Sequence, residues 1–211
     1  MPASRTDAAR PASLDDTRVR LEFAQKAFIL DGDRLLMVRK TASDPYHPRR
    51  WEVPGGRLEV AADLDLDDHI RREVWEEVGL KIAPGPPFHL WQWHLPERRH
   101  AGPGSRPAAV RVVAAARLCR PVTLDVTLEN QTATDHLADP TWVPLTDVDR
   151  YDLIPGLRPV MRAFLSLLPV LAPGIASALP PGPARPPLPP CPPTSWSPSA
   201  LPDPGDPPPP G

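Results

Sequence analysis

The sequence predicts an α/β domain, a mixed sheet sandwiched between helices. Three observations carry this. Short apolar, strand-like runs alternate with polar turns from about residue 26 to residue 145, one amphipathic helix interrupts them mid-chain, and a second helix follows them. With 211 residues the chain suffices for one well-buried domain and is too short for two comfortable ones. No internal repeat is visible.

The elements follow in order. Residues 1–20 read as a flexible lead before a domain spanning residues 21–168. KAFILDGDRLLMVRK, residues 26–40, is two apolar runs about Asp31-Gly32-Asp33, a hairpin signal. WEVPGG, residues 51–56, reads as a strand end closed by a sharp turn, since proline and paired glycine suit a change of direction. Residues 66–78 read as helix, with Gly79 suited to the left-handed cap. FHLWQWHL (88–95) and AAVRVVAAARL (108–118) read as strands around a polar loop, residues 127–139 as loop, and TWVPL (141–145) as a short strand. GLRPVMRAFLSLL, ending at residue 168, reads as the closing helix, with Pro159 in its first turn where a missing N–H costs little.

Residues 169–211 hold more than half of the chain's 34 prolines. Such a run buries too little apolar surface to offset its ordering entropy, so a disordered tail with polyproline II bias is expected. Its PxxP-like spacings suit an aromatic-lined groove, and an inert solvated tail is the simpler alternative. The formal net charge of −2 advertises neither a nucleic-acid nor an anionic-membrane partner. Two distant cysteines, Cys119 and Cys191, make no disulfide framework and no zinc spacing, so a reduced, cytoplasmic setting is expected. The N-terminal residues carry no apolar signal core. The apolar stretch 163–179 contains Pro169, Pro173 and Gly174 and reads as the end of an amphipathic helix running into the tail, not as a membrane span.

The chemistry concentrates in RREVWEEVGL, residues 71–80. Glu73, Glu76 and Glu77 stand at i, i+3 and i+4 and share one helix face, beside an apolar stripe of Ile70, Val74 and Val78. Acids crowded at the negative end of a helix dipole repel one another unless a cation sits among them, and hard oxygens at this density suit Mg2+ or Mn2+. A solvated face, with Arg72 pairing Glu76 and Lys81 relieving Glu77, is the alternative. The upstream Pro-Gly-Gly turn favours the cation, because bare backbone there lets carbonyls and a substrate approach the helix.

GGRLEVAADLDLDDHIRREVWEEVGL, residues 55–80, resembles the signature of the Nudix hydrolases: Gly, five residues, Glu, seven residues, then Arg-Glu-apolar-x-Glu-Glu-x-Gly-apolar. The second half matches fully, through Arg72, Glu73, Val74, Glu76, Glu77, Gly79 and Leu80. The first half departs: the expected glutamate falls on Ala62 counted from Gly56 and on Leu64 counted back from Arg72, so two extra residues are present. Asp63, Asp65 and Glu59 are the nearby carboxylates that can stand in. The resemblance extends from the strand near residue 26 to the helix ending near residue 168.

The resemblance implies a Nudix-type α/β/α sandwich and hydrolysis of a nucleoside diphosphate linked to another moiety, such as a nucleotide sugar, ADP-ribose or a nucleoside triphosphate. It implies Mg2+, with Mn2+ as substitute, held by Glu73, Glu76, Glu77 and the backbone at Gly56, with Glu73 alternatively activating water. Arg72 then holds a glutamate by ion pairing. Asp135, which precedes a histidine and a Trp-Val strand, resembles the later-loop base of such enzymes; Glu129 is the alternative. Trp91 and Trp93 are the candidates for base stacking and Arg57 for phosphate, with Trp51, Phe88, Arg49, Arg50 and Arg111 behind them. A nucleotide-type small molecule is the expected partner, and a homodimer is an expectation from the frequency of dimers among relatives. The rival expectation is a Nudix-fold module that binds nucleotides with weakened hydrolysis.

Overall fold

The computed structural model describes residues 19–59, 65–95, 109–132 and 135–176. Residues 1–18 of the expected flexible lead, the loop after β4, the missing-glutamate positions 62 and 64 with Asp63, and the proline-rich tail beyond residue 176 lie outside the described residues, whereas residues 19 and 20, read as lead, are strand. Elements run β1 (Val19–Asp31), β2 (Arg34–Lys40), β3 (Trp51–Glu52), α1 (Leu66–Val78), β4 (Ile82–Leu95), β5 (Ala109–Pro121), β6 (Leu137–Pro144), α2 (Leu157–Leu171) and α3 (Pro173–Ala176). A 3-10 turn, Val148–Arg150, precedes α2.

The sheet is mixed, in the order β3-β2-β1-β5-β4, with β6 pairing β2. β1 and β5 are parallel over their length, Val19 facing Ala109 through Ile29 facing Cys119. The β1–β2 hairpin turns at Gly32, whose φ of 58° is the left-handed conformation its sequence signal called for. It joins only two residue pairs, Leu30 with Leu35 and Asp31 with Arg34, before the strands diverge. β2 then pairs with β3, while residues 54–58 take over the vacated edge of β1: Gln25 N donates to Gly56 O (3.0 Å), Ala27 N to Pro54 O (2.8 Å) and Leu58 N to Phe23 O (2.8 Å). The site is built in this split.

Strand alternation assigns each face its cover. Ala27 and Ile29 of β1 join Leu36 and Val38 of β2 under Ile70, Val74 and Val78 of α1. Phe28 and Leu30, on the other face, pack with Leu157, Val160, Met161, Phe164 and Leu168 of α2. Helices therefore cover both faces, and the α/β sandwich expected from the sequence is the fold observed.

Several boundaries differ from the sequence reading for tertiary reasons, among them β1, which starts at Val19 and not near residue 26 because it pairs with β5 from there. β4 starts at Ile82, not at Phe88, and runs through Pro84, Pro86 and Pro87 with register shifts. It is an edge strand, where a missing N–H need not meet a neighbour. Gly85 there comes so close to β5 that a Cβ would lie 2.6 Å from Leu118 O. β6 begins at Leu137, inside the stretch read as loop, and accommodates a shift opposite Met37–Arg39, with Asp139 at φ 49°. α2 continues past residue 168 through Pro169 to Leu171, because Leu171 and Ala172 still find core to pack against. Among the described residues no helix is long and apolar enough to cross a membrane.

Candidate active site

α1 is positioned from both ends. Asp65 caps its N-terminus, its side chain accepting from Asp67 N (2.7 Å) and Asp68 N (3.2 Å). The Oδ1 atom of Asp65, one of the carboxylates near the missing box glutamate, thus serves the helix end. At the other end Gly79 adopts φ 69°, and a Cβ there would lie 2.3 Å from Thr127 Cγ2. The loop after β5 satisfies the last-turn carbonyls: Thr127 N donates to Val78 O (3.0 Å), Asn130 Nδ2 to Trp75 O (3.1 Å) and Gln131 Nε2 to Glu77 O (3.0 Å). Donors from this loop offset the negative helix end at which the acids gather. Sequence reasoning missed them, since nothing local ties residues 127–131 to residue 77.

Each glycine of the turn meets a different glutamate. Gly55 has φ 122°, and a Cβ would stand 2.3 Å from Gln25 O, so no other residue fits against β1. Its N–H donates to Glu77 Oε2 at 2.7 Å. At Gly56 a Cβ would stand 1.8 Å from Glu73 Oε2, so the carboxylate occupies the space a side chain would take. The carbonyl of Gly56 accepts from Gln25 N and keeps a second lone pair. Arg72 spans the outer acids, Nη2 3.0 Å from Glu73 Oε1 and Nη1 2.9 Å from Glu76 Oε2.

Glu77 is buried and feels the charge of a group the sequence reading left out, Glu52 at the end of β3. Glu52 lies between two lysines, Lys26 Nζ at 2.8 Å and Lys40 Nζ at 2.7 Å. Burial alone would raise the Glu52 carboxyl, but these two ammonium groups overcome it and bring it down to about 2. Burial lowers Lys40, and the pull of Glu52 outweighs it, so Lys40 is held above its ordinary range. Glu77 is pushed up to about 8, chiefly by burial and further by the Glu52 charge, against Lys26, Lys40 and the Gly55 N–H. The signal available in the sequence was a pair of lysines bracketing the apolar hairpin strands.

Other expected site residues fall in different places. Asp135 turns its carboxylate into its own loop, Oδ2 accepting from Thr132 N at 2.6 Å, while its carbonyl receives Lys40 Nζ at 3.4 Å. Glu129 is exposed. Arg57 Nη1 pairs with Glu22 Oε2 at 2.7 Å. Trp91 and Trp93 stack at 5.9 Å between centroids, against Ala24, Val112 and Ala114. They share the face of Ala24, the one opposite α1. Phe88 packs edge-on to Phe28, and Trp51 edge-on to Tyr151, both within the α2-side core. Arg50 and Arg111 engage Asp152 (3.7 Å) and His94 (3.3 Å).

Among the described residues no ready-made cluster of three metal-ligating side chains occurs. The donor chemistry still suits a hard divalent cation: Glu73 lies in a cradle that a Cβ would fill, Glu76 shares its arginine, and Glu77 follows on the same turn.

The fold is that of the Nudix domain, and the chain belongs to that family: the NUDIX domain model matches residues 22–164. The m7GpppN-mRNA hydrolase NUDT17 of Bos taurus is 35% identical over 78 residues, 31% of this chain and 25% of that protein. The match thus spans about a quarter of that relative's length. Among solved structures, a NUDIX hydrolase from Nitrosomonas europaea superposes with a TM-score of 0.53 at 15% identity, over 70% of this chain and 90% of that one. The E. coli ORF135 protein superposes at 0.50 with 18% identity, over 76% and 99%. At these identities the structural likeness bears on fold alone.

Proposed function

We propose that the protein hydrolyses the pyrophosphate bond of a nucleoside diphosphate linked to another moiety, with Mg2+ or Mn2+ bound. The observation that carries this reading is the fit of Glu73 against Gly56 and of Glu77 against Gly55 in a chain with a complete second half-signature. Glu73, Glu76 and Glu77 would hold the cation, with the second lone pair of Gly56 O as a backbone donor. A bound Mg2+ supplies charge neutralisation for the pyrophosphate and lowers the pKa of coordinated water.

The chain's own groups do the rest. Arg72 holds Glu73 and Glu76 at fixed spacing on the helix face. Lys26 and Lys40 balance Glu52, so this buried end of the site is not left as bare anionic charge that would repel a polyanion. In the reaction water oxygen bonds to one phosphorus, the bridging oxygen leaves with the other phosphate, and a proton is released. Trp91, Trp93 and Arg57 are the nucleotide contacts this reading adopts, and Asp135 requires its loop to release the carboxylate before it serves as base.

A panel of ADP-ribose, nucleotide sugars, nucleoside triphosphates and m7GpppN-type dinucleotides with Mg2+ and Mn2+ tests the reading; the last class is suggested by the name of the bovine relative. Release of mononucleotide or phosphate is the expected outcome. Saturable binding without product supports the second reading, a nucleotide-binding module with weakened hydrolysis. Two observations favour that rival: Asp65 is committed to the helix cap, and Asp135 is committed to Thr132.

A further inference from the structure

A chain of buried polar side chains runs beneath the acidic face and ends against Glu73, one of the groups assigned to the cation. Arg117 of β5, Gln25 of β1 and His69 of α1 are 8%, 1% and 0% exposed. Arg117 is anchored on two sides, by its ion pair to Asp67 in the first turn of α1 and by donation from Nε to Gly85 O at 2.8 Å. Its Nη1 donates to Gln25 Oε1 at 3.2 Å. Gln25 Nε2 lies 2.7 Å from Leu66 O and 2.8 Å from His69 Nδ1. His69 Nε2 lies 3.6 Å from Glu73 Oε1.

The donor and acceptor inventory leaves one arrangement. Arginine only donates, so the Gln25 atom facing Arg117 must be the oxygen. The amide nitrogen then faces Leu66 O and His69, and Leu66 O, which only accepts, requires the same orientation. Both amide hydrogens are committed, one to Leu66 O and one to His69 Nδ1. Nδ1 must therefore accept, and the imidazole proton belongs on Nε2, the nitrogen nearer Glu73. At 3.6 Å that contact is electrostatic and longer than a hydrogen bond. It places the positive end of an N–H dipole beside the glutamate that packs against Gly56.

We propose that the Arg117–Gln25–His69 relay is a positioning device that fixes the Nε2-protonated tautomer of His69 and so aligns Glu73 for cation binding. The inference rests on the reading of Glu73 as a cation ligand. None of the three residues is among those assigned to the cation or the substrate. Their role resembles the outer partners that orient ligands at metal sites, whose loss typically weakens metal affinity by about 10- to 100-fold.

The test uses the full 15N-labelled chain. Two-bond 1H–15N correlations read the tautomer of each of the six histidines, and the His69 signals are identified by their loss in His69→Gln. A proton on Nε2 is expected; a proton on Nδ1 overturns the proposal. Mn2+ affinity, read from the electron paramagnetic resonance of free ion, separates alignment of Glu73 from simple packing. His69→Gln keeps an N–H donor near the position of Nε2. His69→Asn keeps an acceptor for Gln25 near the position of Nδ1 and offers nothing to Glu73. Affinity is expected to fall about tenfold or more in His69→Asn and to recover largely in His69→Gln. Equal affinities in the two variants, or the reverse order, overturn the proposal. Should neither variant fold, the tautomer in the parent chain decides. Absence of Mn2+ uptake by the parent removes the functional reading and this proposal with it, whereas uptake with the wrong tautomer or variant order removes this proposal alone.

Discussion

The two helical covers of one sheet are built on opposite principles. α2 presents Leu157, Val160, Met161, Phe164 and Leu168 to an apolar face and buries no charge. α1 buries Ile70, Val74 and Val78 as well, but with them His69 and Glu77, and beneath it lie Gln25 and Arg117. Buried polar groups add stability only when every one of them is satisfied, and breaking one is costly. α2 accordingly reads as the element that holds the domain together, and α1 as the element whose burial is compromised by the polar groups of the proposed site.

The largest effect is expected on the α1 side. Glu76→Gln and Glu77→Gln should each lower turnover on the responsive substrate by on the order of 10² to 10⁴, with the fold retained by circular dichroism. Unchanged turnover in both, with metal present, removes these residues from the site. On the α2 side Phe164→Ala should destabilise the domain by about 3–5 kcal/mol in denaturant unfolding, since Phe164 is fully buried against Phe28 and Phe88. Mn2+ affinity of the folded fraction should not change. A loss of metal binding there would mean the two covers are coupled through the sheet.

Acid–base titration sharpens the contrast. In chelator, Glu77 with a folded value near 8 against an ordinary 4.5 binds more protons folded than unfolded, so its contribution to stability falls as pH rises from about 4.5 to 8. Glu52, held near 2 in the fold, works in the other direction: its contribution is present above about 4.5 and lost as pH falls toward 2. Denaturant midpoints between pH 5 and 8 should therefore flatten in Glu77→Gln, and an unaltered slope would show that Glu77 does not titrate there. The smallest effect is Asp65→Ala, which removes the α1 cap and should cost about 1 kcal/mol. A larger loss of activity than of stability in that variant would return Asp65 to the site.

Local pattern made one half of this contrast legible. The bounds of α1 and its Gly79 cap, the hairpin at Gly32 and the shared face of Glu73, Glu76 and Glu77 depend on residues within a few positions of one another, and sequence periodicity reports such neighbours. The polar network could not be read that way. Gln25 meets His69 across 44 positions and Arg117 across 92, and Glu52 meets Lys26 across 26. Arg117 and Gln25 each sit in a strand whose alternation suggests only an inward or outward side chain. Proline content likewise hid the first half of β4, because tolerance of Pro84 and Pro87 depends on an edge position set by the whole sheet order.

We infer that the acidic face of α1 and the Gly55-Gly56 turn together hold a divalent cation. Titrating Mn2+ into the metal-free full chain, and into Glu73→Gln and Glu76→Gln, tests it most directly. Saturable uptake by the parent, weakened in each variant while the folded signal persists, is the expected result. Uptake identical in all three proteins, or none in the parent, contradicts it.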